Sequence, residues 1–255
     1  MPTSTDSANW ESTSSSSSSA VPTSTTNSSA APASPLVAGK NQVIVAPMQG
    51  DLRMVPFNIN VPENETITFI FGAGPHTVTQ SSLLTICNAS DAEGAFKSGR
   101  QEAGFQFPVV VTTNKTQSYY CGVPNHCEKG MFGLINGLNV AVPGDGFDDV
   151  IPKLTANNTE LKSLYDETKK VCEGSEEAWA WGSTLQMGQF APWSQDVAAE
   201  NILYTRQYYA KNPSSLASAN PANEKDDKGS SSHRSVETSS IALLAASVFA
   251  MTLFI

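Results

Sequence analysis

The 255-residue chain carries 15 Lys and Arg against 24 Asp and Glu, a net charge of −9, and is 40% hydrophobic but only 15% charged. With no Lys/Arg cluster to neutralise phosphates it has no electrostatic footprint for nucleic acid, so DNA and RNA are set aside as partners. The length fits one ordinary domain with tails, and the acidity lies late in the chain: residues 143–228 hold eight Lys and Arg against fourteen Asp and Glu.

Residues 1–38 contain 19 Ser or Thr, including the unbroken run Ser14 to Ser19, with Pro22, Pro32 and Pro35 interspersed. Such a segment cannot offset its ordering entropy by burial and is expected to be disordered. Its composition is that of an O-glycosylated stalk, with a plain flexible linker as the alternative.

From Gln42 to Val142 short apolar runs alternate with Gly, Pro, Asn and Asp: QVIVA at 42–46, MVPFNINV at 54–61, TITFIF at 66–71, FQFPVVVT at 105–112, QSYYC at 117–121 and LINGLNVAV at 134–142. Phe57, Ile59 and Val61 fall on one face of a strand, as do Ile67, Phe69 and Phe71. Period-two runs at this spacing predict a mainly β sandwich or barrel over residues 39–145. No Gly-rich phosphate loop precedes a helix, which leaves nucleotide binding without support.

Within that domain the residues with chemistry to offer are His76, Cys121, His126 and Met131. Cys121, His126 and Met131 recur at five-residue steps on one Gly/Pro-containing loop between two predicted strands, and His76 lies just past the strand TITFIF. Two imidazoles, a thiolate and a weak thioether are the trigonal His₂Cys set with long axial Met of a blue-copper site. The residues alone leave another reading open, in which Cys121 and Cys127 are disulfide partners, His126 is a surface residue and Met131 is core. Zinc is a weaker rival, because C-x₂-C pairs or a further Cys or His are missing.

After Pro143 the pattern turns helical. Leu154, Leu161, Leu164, Tyr165 and Val171 recur at helical spacing, as do Val197, Tyr204 and Tyr208 after Ser194, which reads as an N-cap. Two helices are predicted, near 154–173 and 195–211, forming a helical extension over 146–212, with Trp179, Trp181 and Trp193 packing the connection between them. Residues 213–240 read as a linker. The last fifteen residues, 241–255, are uncharged and follow a polar spacer and the small residues Gly229, Ser230 and Ser231. A run this short falls below the ~20 residues of a membrane-spanning helix, and the order of small residues, spacer and apolar tail is that of a glycosylphosphatidylinositol (GPI) attachment signal, with Gly229 and Ser230 as attachment candidates. No secretory leader follows Met1; the anchor requires passage into the secretory pathway, so Met1 is expected to be an internal start or to follow a missing N-terminus. The acceptor triplets at Asn27, Asn64, Asn88, Asn114 and Asn157 agree with a secreted glycoprotein.

The run Cys121-x₄-His126-Cys127-x₃-Met131, with His76 and Cys87 upstream, resembles the phytocyanin-like cupredoxin domains of plants and of Ser-rich fungal surface proteins. The resemblance spans about Gln42 to Val142 and includes His76-Thr-Val-Thr-Gln-Ser-Ser82 and the turn Gly130-Met131-Phe-Gly-Leu-Ile-Asn136. It implies a Greek-key β-sandwich, one type 1 copper ion on His76, Cys121, His126 and Met131, and a disulfide between Cys87 and Cys127. Pro75 stands where an Asn often flanks the first ligand, so one outer hydrogen bond is either missing or supplied by Thr77. Cys172 is then left over, as a buried thiol or as half of an intermolecular bridge.

The function expected is that of a cell-surface, GPI-anchored cupredoxin working in one-electron transfer or copper handling. The alternative is a structural wall or adhesion glycoprotein that displays the domain. Four protein ligands leave no open position for substrate and no catalytic signature is present, so no enzyme activity is expected. The membrane is expected to be met through the lipid anchor; the sequence identifies neither a redox partner nor a copper donor.

Overall fold

The computed structural model of the protein describes residues 36–139 and 142–219. The expected stalk before residue 36, the linker beyond Ala219, the attachment candidates Gly229 and Ser230, the apolar tail and Asn27 therefore lie outside the described residues, whereas residues 213–219, expected to begin the linker, form a short helix that buries Ser215 and Leu216. Among the described residues no helix is long and apolar enough to cross a membrane.

Eight strands form two mixed four-stranded sheets: β1 (Gln42–Val45), β2 (Met54–Val55), β3 (Asn58–Ile59), β4 (Thr66–Phe71), β5 (Thr79–Ser81), β6 (Gln106–Val110), β7 (Gln117–Tyr120) and β8 (Phe132–Ile135). The first sheet runs β2-β1-β4-β6 and the second β3-β8-β7-β5. β1 pairs parallel with β4 and β3 parallel with β8, while the remaining pairs are antiparallel. The predicted strand at 54–61 is thus two short strands in different sheets. Pro56 between them has no N–H to extend a ladder, and the chain crosses from one sheet to the other there.

The alternation read in the sequence shows directly in β4, where Ile67, Phe69 and Phe71 are fully buried and the residues between them are not. With Val43, Val45, Tyr119, Cys121, Met131 and Ile135 they form the core between the sheets. β8 behaves differently: all four of its residues are buried. Met131 and Ile135 belong to the inter-sheet core, whereas Phe132 and Leu134 join Phe57, Phe147, Ile202 and Leu203 in a second core under the helices. A sheet covered on both faces reads as a continuous apolar run, and this one is.

The helices are α1 (Phe147–Asn157), α2 (Thr159–Val171), α3 (Glu176–Ala180), α4 (Gln195–Lys211) and α5 (Pro213–Ala219). The single helix expected at 154–173 is two. Asn158 interrupts it in an extended conformation, and its side chain accepts from the Leu161 N–H as the cap of α2. The helix at 195–211 stands where expected, but Ser194 does not cap it: Ser194 is already in the helical region, and its hydroxyl donates back to the Ala191 carbonyl across a preceding 3-10 turn. Trp179 and Trp181 pack beside Cys172 and Tyr209, whereas Trp193 is 53% exposed, outside the packing expected of it. The last predicted strand ends early, at Ile135. Asn136 turns at positive φ, and its side chain bonds both the N–H and the carbonyl of Val61.

Candidate metal centre

Cys121 follows β7 directly and His126 and Met131 lie on the loop between β7 and β8. That loop closes on itself: the Met131 N–H donates to the His126 carbonyl at 3.0 Å, and the Cys121 N–H donates to the Met131 carbonyl at 2.9 Å. His76 reaches the same place from between β4 and β5. It is fixed there by a reciprocal backbone pair with Gln101, at 3.0 and 2.8 Å.

These pairings bring three donor atoms into one triangle. The Nδ1 atoms of His76 and His126 are 3.2 Å apart, and the Cys121 Sγ lies 3.7 Å from the first and 3.6 Å from the second. The three residues form a potential metal-holding group among the described residues. From these edges the centre of the triangle lies about 2.0 Å from each donor, close to a metal–imidazole bond and slightly short of the roughly 2.3 Å of a metal–thiolate bond. The donor set therefore fits a single soft or borderline ion of the copper type. Met131, fully buried in the same core cluster as Cys121, has its backbone tied to those of Cys121 and His126 by two hydrogen bonds.

Burial sets the protonation of the donors. His76 is only 5% exposed, and desolvation with the neighbouring His126 lowers its pKa to about 4. His126 is lowered too, first by desolvation and then by the cationic Lys129 and Arg100. Both imidazoles thus have a lone pair available at neutral pH, as metal binding requires. The Cys121 thiol is raised by burial, against the opposing pull of nearby N–H groups of Thr77 and Val123.

Thr77 supplies the contact left open by Pro75. Its N–H donates to the Cys121 sulfur at 3.4 Å, and its hydroxyl accepts from the Gly122 N–H at 2.6 Å. The disulfide joins Cys87 to Cys127, with Cα atoms 5.6 Å apart, and so staples the segment after β5 to the loop carrying His126. Cys121 and Cys127 are therefore not partners of one another. Cys172 is a free thiol, 4% exposed, at the end of α2. Asn64, Asn88, Asn114 and Asn157 are all exposed.

Two further residues near the site, Arg53 and Asn201, belong to no motif of the sequence. The Arg53 guanidinium donates to the Lys129 carbonyl and pairs with Glu200 at 3.0 Å. Asn201 donates to the Gly130 carbonyl at 2.9 Å. The available signal was that Asn201 is a polar residue on the predicted apolar stripe Val197–Tyr204–Tyr208, spaced at i+4 and i+7.

Residues 41–136 match the family described as "Copper binding proteins, plastocyanin/azurin family". An "Extracellular serine-rich protein" of Arthroderma benhamiae is 33% identical over 104 residues, covering 39% of this chain and 41% of that protein. A "Probable GPI-anchored cupredoxin-1" of the same organism is 30% identical over 101 residues, covering 40% of this chain and 53% of that protein. The chain thus spans about half or less of the curated relatives it matches. The solved structure "Novel Purple Cupredoxin from Nitrosopumilus maritimus" aligns at 20% identity with a TM-score of 0.29, covering 37% of this chain and 95% of that one.

Proposed function

We propose, from the match of residues 41–136 to the plastocyanin/azurin family of copper-binding proteins, that His76, Cys121, His126 and Met131 hold one type 1 copper ion and that the protein is a one-electron carrier at the cell surface. The observation that carries this reading is the donor triangle, already closed to edges of 3.2–3.7 Å. When bound there, copper supplies a one-electron couple.

The protein's part is to hold the donors still. Cys121, fully buried, offers a sulfur whose thiolate form is favoured by the Thr77 N–H, and His76 offers an imidazole kept neutral by burial. His126 is the half-buried donor, so a redox partner that touches the ligand set docks against its ring. A cage fixed by backbone pairing and a disulfide changes little between two oxidation states, which suits electron transfer better than delivery of the ion.

The test is a Cu(II) titration of the full chain, secreted with a signal peptide, with its visible spectrum beside a Cys121→Ser control. A strong thiolate-to-copper band absent from the control, followed by reversible redox cycling, is expected. A band without reversible cycling favours copper storage; no band at stoichiometric Cu(II) removes the reading and leaves a displayed structural domain.

Surface attachment is supported by the tail composition of residues 229–255, by the exposed acceptor triplets, and by the name of a relative, "Probable GPI-anchored cupredoxin-1". Release from intact cells by a phosphatidylinositol-specific phospholipase is the expected result. Retention after that treatment overturns the anchor.

A further inference from the structure

We infer that α4 is a positioning element for the metal loop, acting through Asn201 and the Arg53–Glu200 pair on two successive carbonyls of that loop. The inference rests on the copper reading above and adds to it a role for Glu200 and Asn201, which lie outside the matched segment.

The contacts are specific. Asn201, 2% exposed in the middle of α4, donates its side-chain N–H to the Gly130 carbonyl at 2.9 Å. One residue back, the Lys129 carbonyl accepts from the Arg53 guanidinium, which Glu200 of α4 holds at 3.0 Å. Gly130 is at φ +107, and a Cβ there would run into the Arg53 guanidinium and approach Val197 of α4 to 3.2 Å. The loop backbone is thus clamped from the helix side at the two residues just before Met131.

Movement at that point is transmitted directly. Met131 bonds the His126 carbonyl through its N–H and the Cys121 N–H through its carbonyl. A displaced Gly130 therefore shifts the residue that ties two metal donors together. Partners one shell out from metal ligands fix ligand orientation in this way.

Packing alone does not account for Asn201. Among the described residues its Oδ1 is buried with no hydrogen-bond partner, an uncompensated acceptor that an apolar side chain at this position would avoid. Its retained benefit is the bond to Gly130. Gln207, on the same helix, provides the contrast: it is buried but bonds Thr168 of α2 at 2.9 Å, away from the loop.

The experiment compares Asn201→Leu and Gln207→Ala in the full chain, at temperatures set to equal global stability. In the metal-free proteins, amide exchange of Met131 and Cys121 is expected to accelerate at least tenfold in Asn201→Leu and not in Gln207→Ala. In the copper-loaded proteins, Asn201→Leu is expected to bind about tenfold more weakly and to change its ratio of Cu(II) to Cu(I) affinity, while Gln207→Ala keeps the parent ratio. Equal exchange and equal affinities in the two variants reduce Asn201 to packing and overturn the inference. If the parent protein forms no thiolate–copper band, the copper reading fails separately, and loop exchange alone then decides whether α4 clamps the loop. Should Asn201→Leu not fold, Glu200→Gln, which weakens the partly exposed pair, is read the same way.

Discussion

The Nδ1 atoms of His76 and His126 face each other across 3.2 Å although the residues are fifty positions apart. Two ring nitrogens so placed cannot both carry a proton, and the low pKa of His76 comes first from burial and then from the neighbouring His126. In the unfolded chain His76 protonates near 6.5, whereas in the folded protein it resists until about 4. The unfolded state therefore binds more protons between these values, and stability falls as the pH drops through them.

Thermal melts of the metal-free protein are accordingly expected to move down between about pH 6.5 and pH 4. His126, also lowered, adds to the slope in the same direction. A His76→Gln variant should show a shallower dependence over this window. An identical slope in the variant would assign the acid sensitivity to other groups.

The Cys87–Cys127 bridge closes a loop with a sequence separation of 40. Replacing both cysteines by Ser should destabilise the protein by about 3–4 kcal/mol, chiefly by releasing the unfolded chain. It should also speed loss of copper to a chelator, because Cys127 adjoins His126. Urea unfolding and chelator-competition rates measure the two effects, and unchanged copper retention would mean that the staple serves stability alone.

Gly130→Ala should cost about 1–3 kcal/mol for the strained backbone and displace the Arg53 guanidinium from the Lys129 carbonyl. Adding Arg53→Ala to this variant removes the tightest steric contact, leaving that with Val197, and should recover some of the loss. Denaturant melts of the two variants test this; no recovery would put the whole cost on φ.

Arg206 is a fully buried cation beneath the helices. It pairs with Asp148 at 2.8 Å, bonds the Trp181 carbonyl, and lies over the rings of Phe147 and Trp179. Asp148→Ala leaves that charge unpaired and should destabilise by about 3 kcal/mol, at the lower end of the usual range because the Asp148 side chain is 47% exposed. The double variant Asp148→Ala/Arg206→Met should be more stable than the single one, and equal stabilities would show that the charge itself is not the cost.

Much of the β domain was legible residue by residue. Ile67, Phe69 and Phe71 alternate in sequence and are buried together, because a strand sends successive side chains to opposite faces. The helical region was legible in kind but not in its breaks. The apolar spacing from Leu154 to Val171 runs through Asn158, and only the Asn158 cap, a local bond to Leu161, divides α1 from α2. Ser194 had the residue type of a cap without the geometry, its hydroxyl being taken by the preceding turn.

The sequence by itself determined that a cysteine, a histidine and a methionine share one short loop, since five-residue steps between Cys121, His126 and Met131 leave them no other place to be; that Cys121 is a free sulfur and not the partner of Cys127 came from the structure. Only the tertiary structure decided that His76 completes the triangle through its pairing with Gln101, which Nδ1 and Sγ atoms converge, and that Asn201 and Arg53 brace the loop from behind. Neighbours along the chain are held together by covalent geometry and can be read in order. Contacts between residues far apart in the chain depend on which sheets and helices stack, and one polar side chain on a buried helix does not state which carbonyl it will meet.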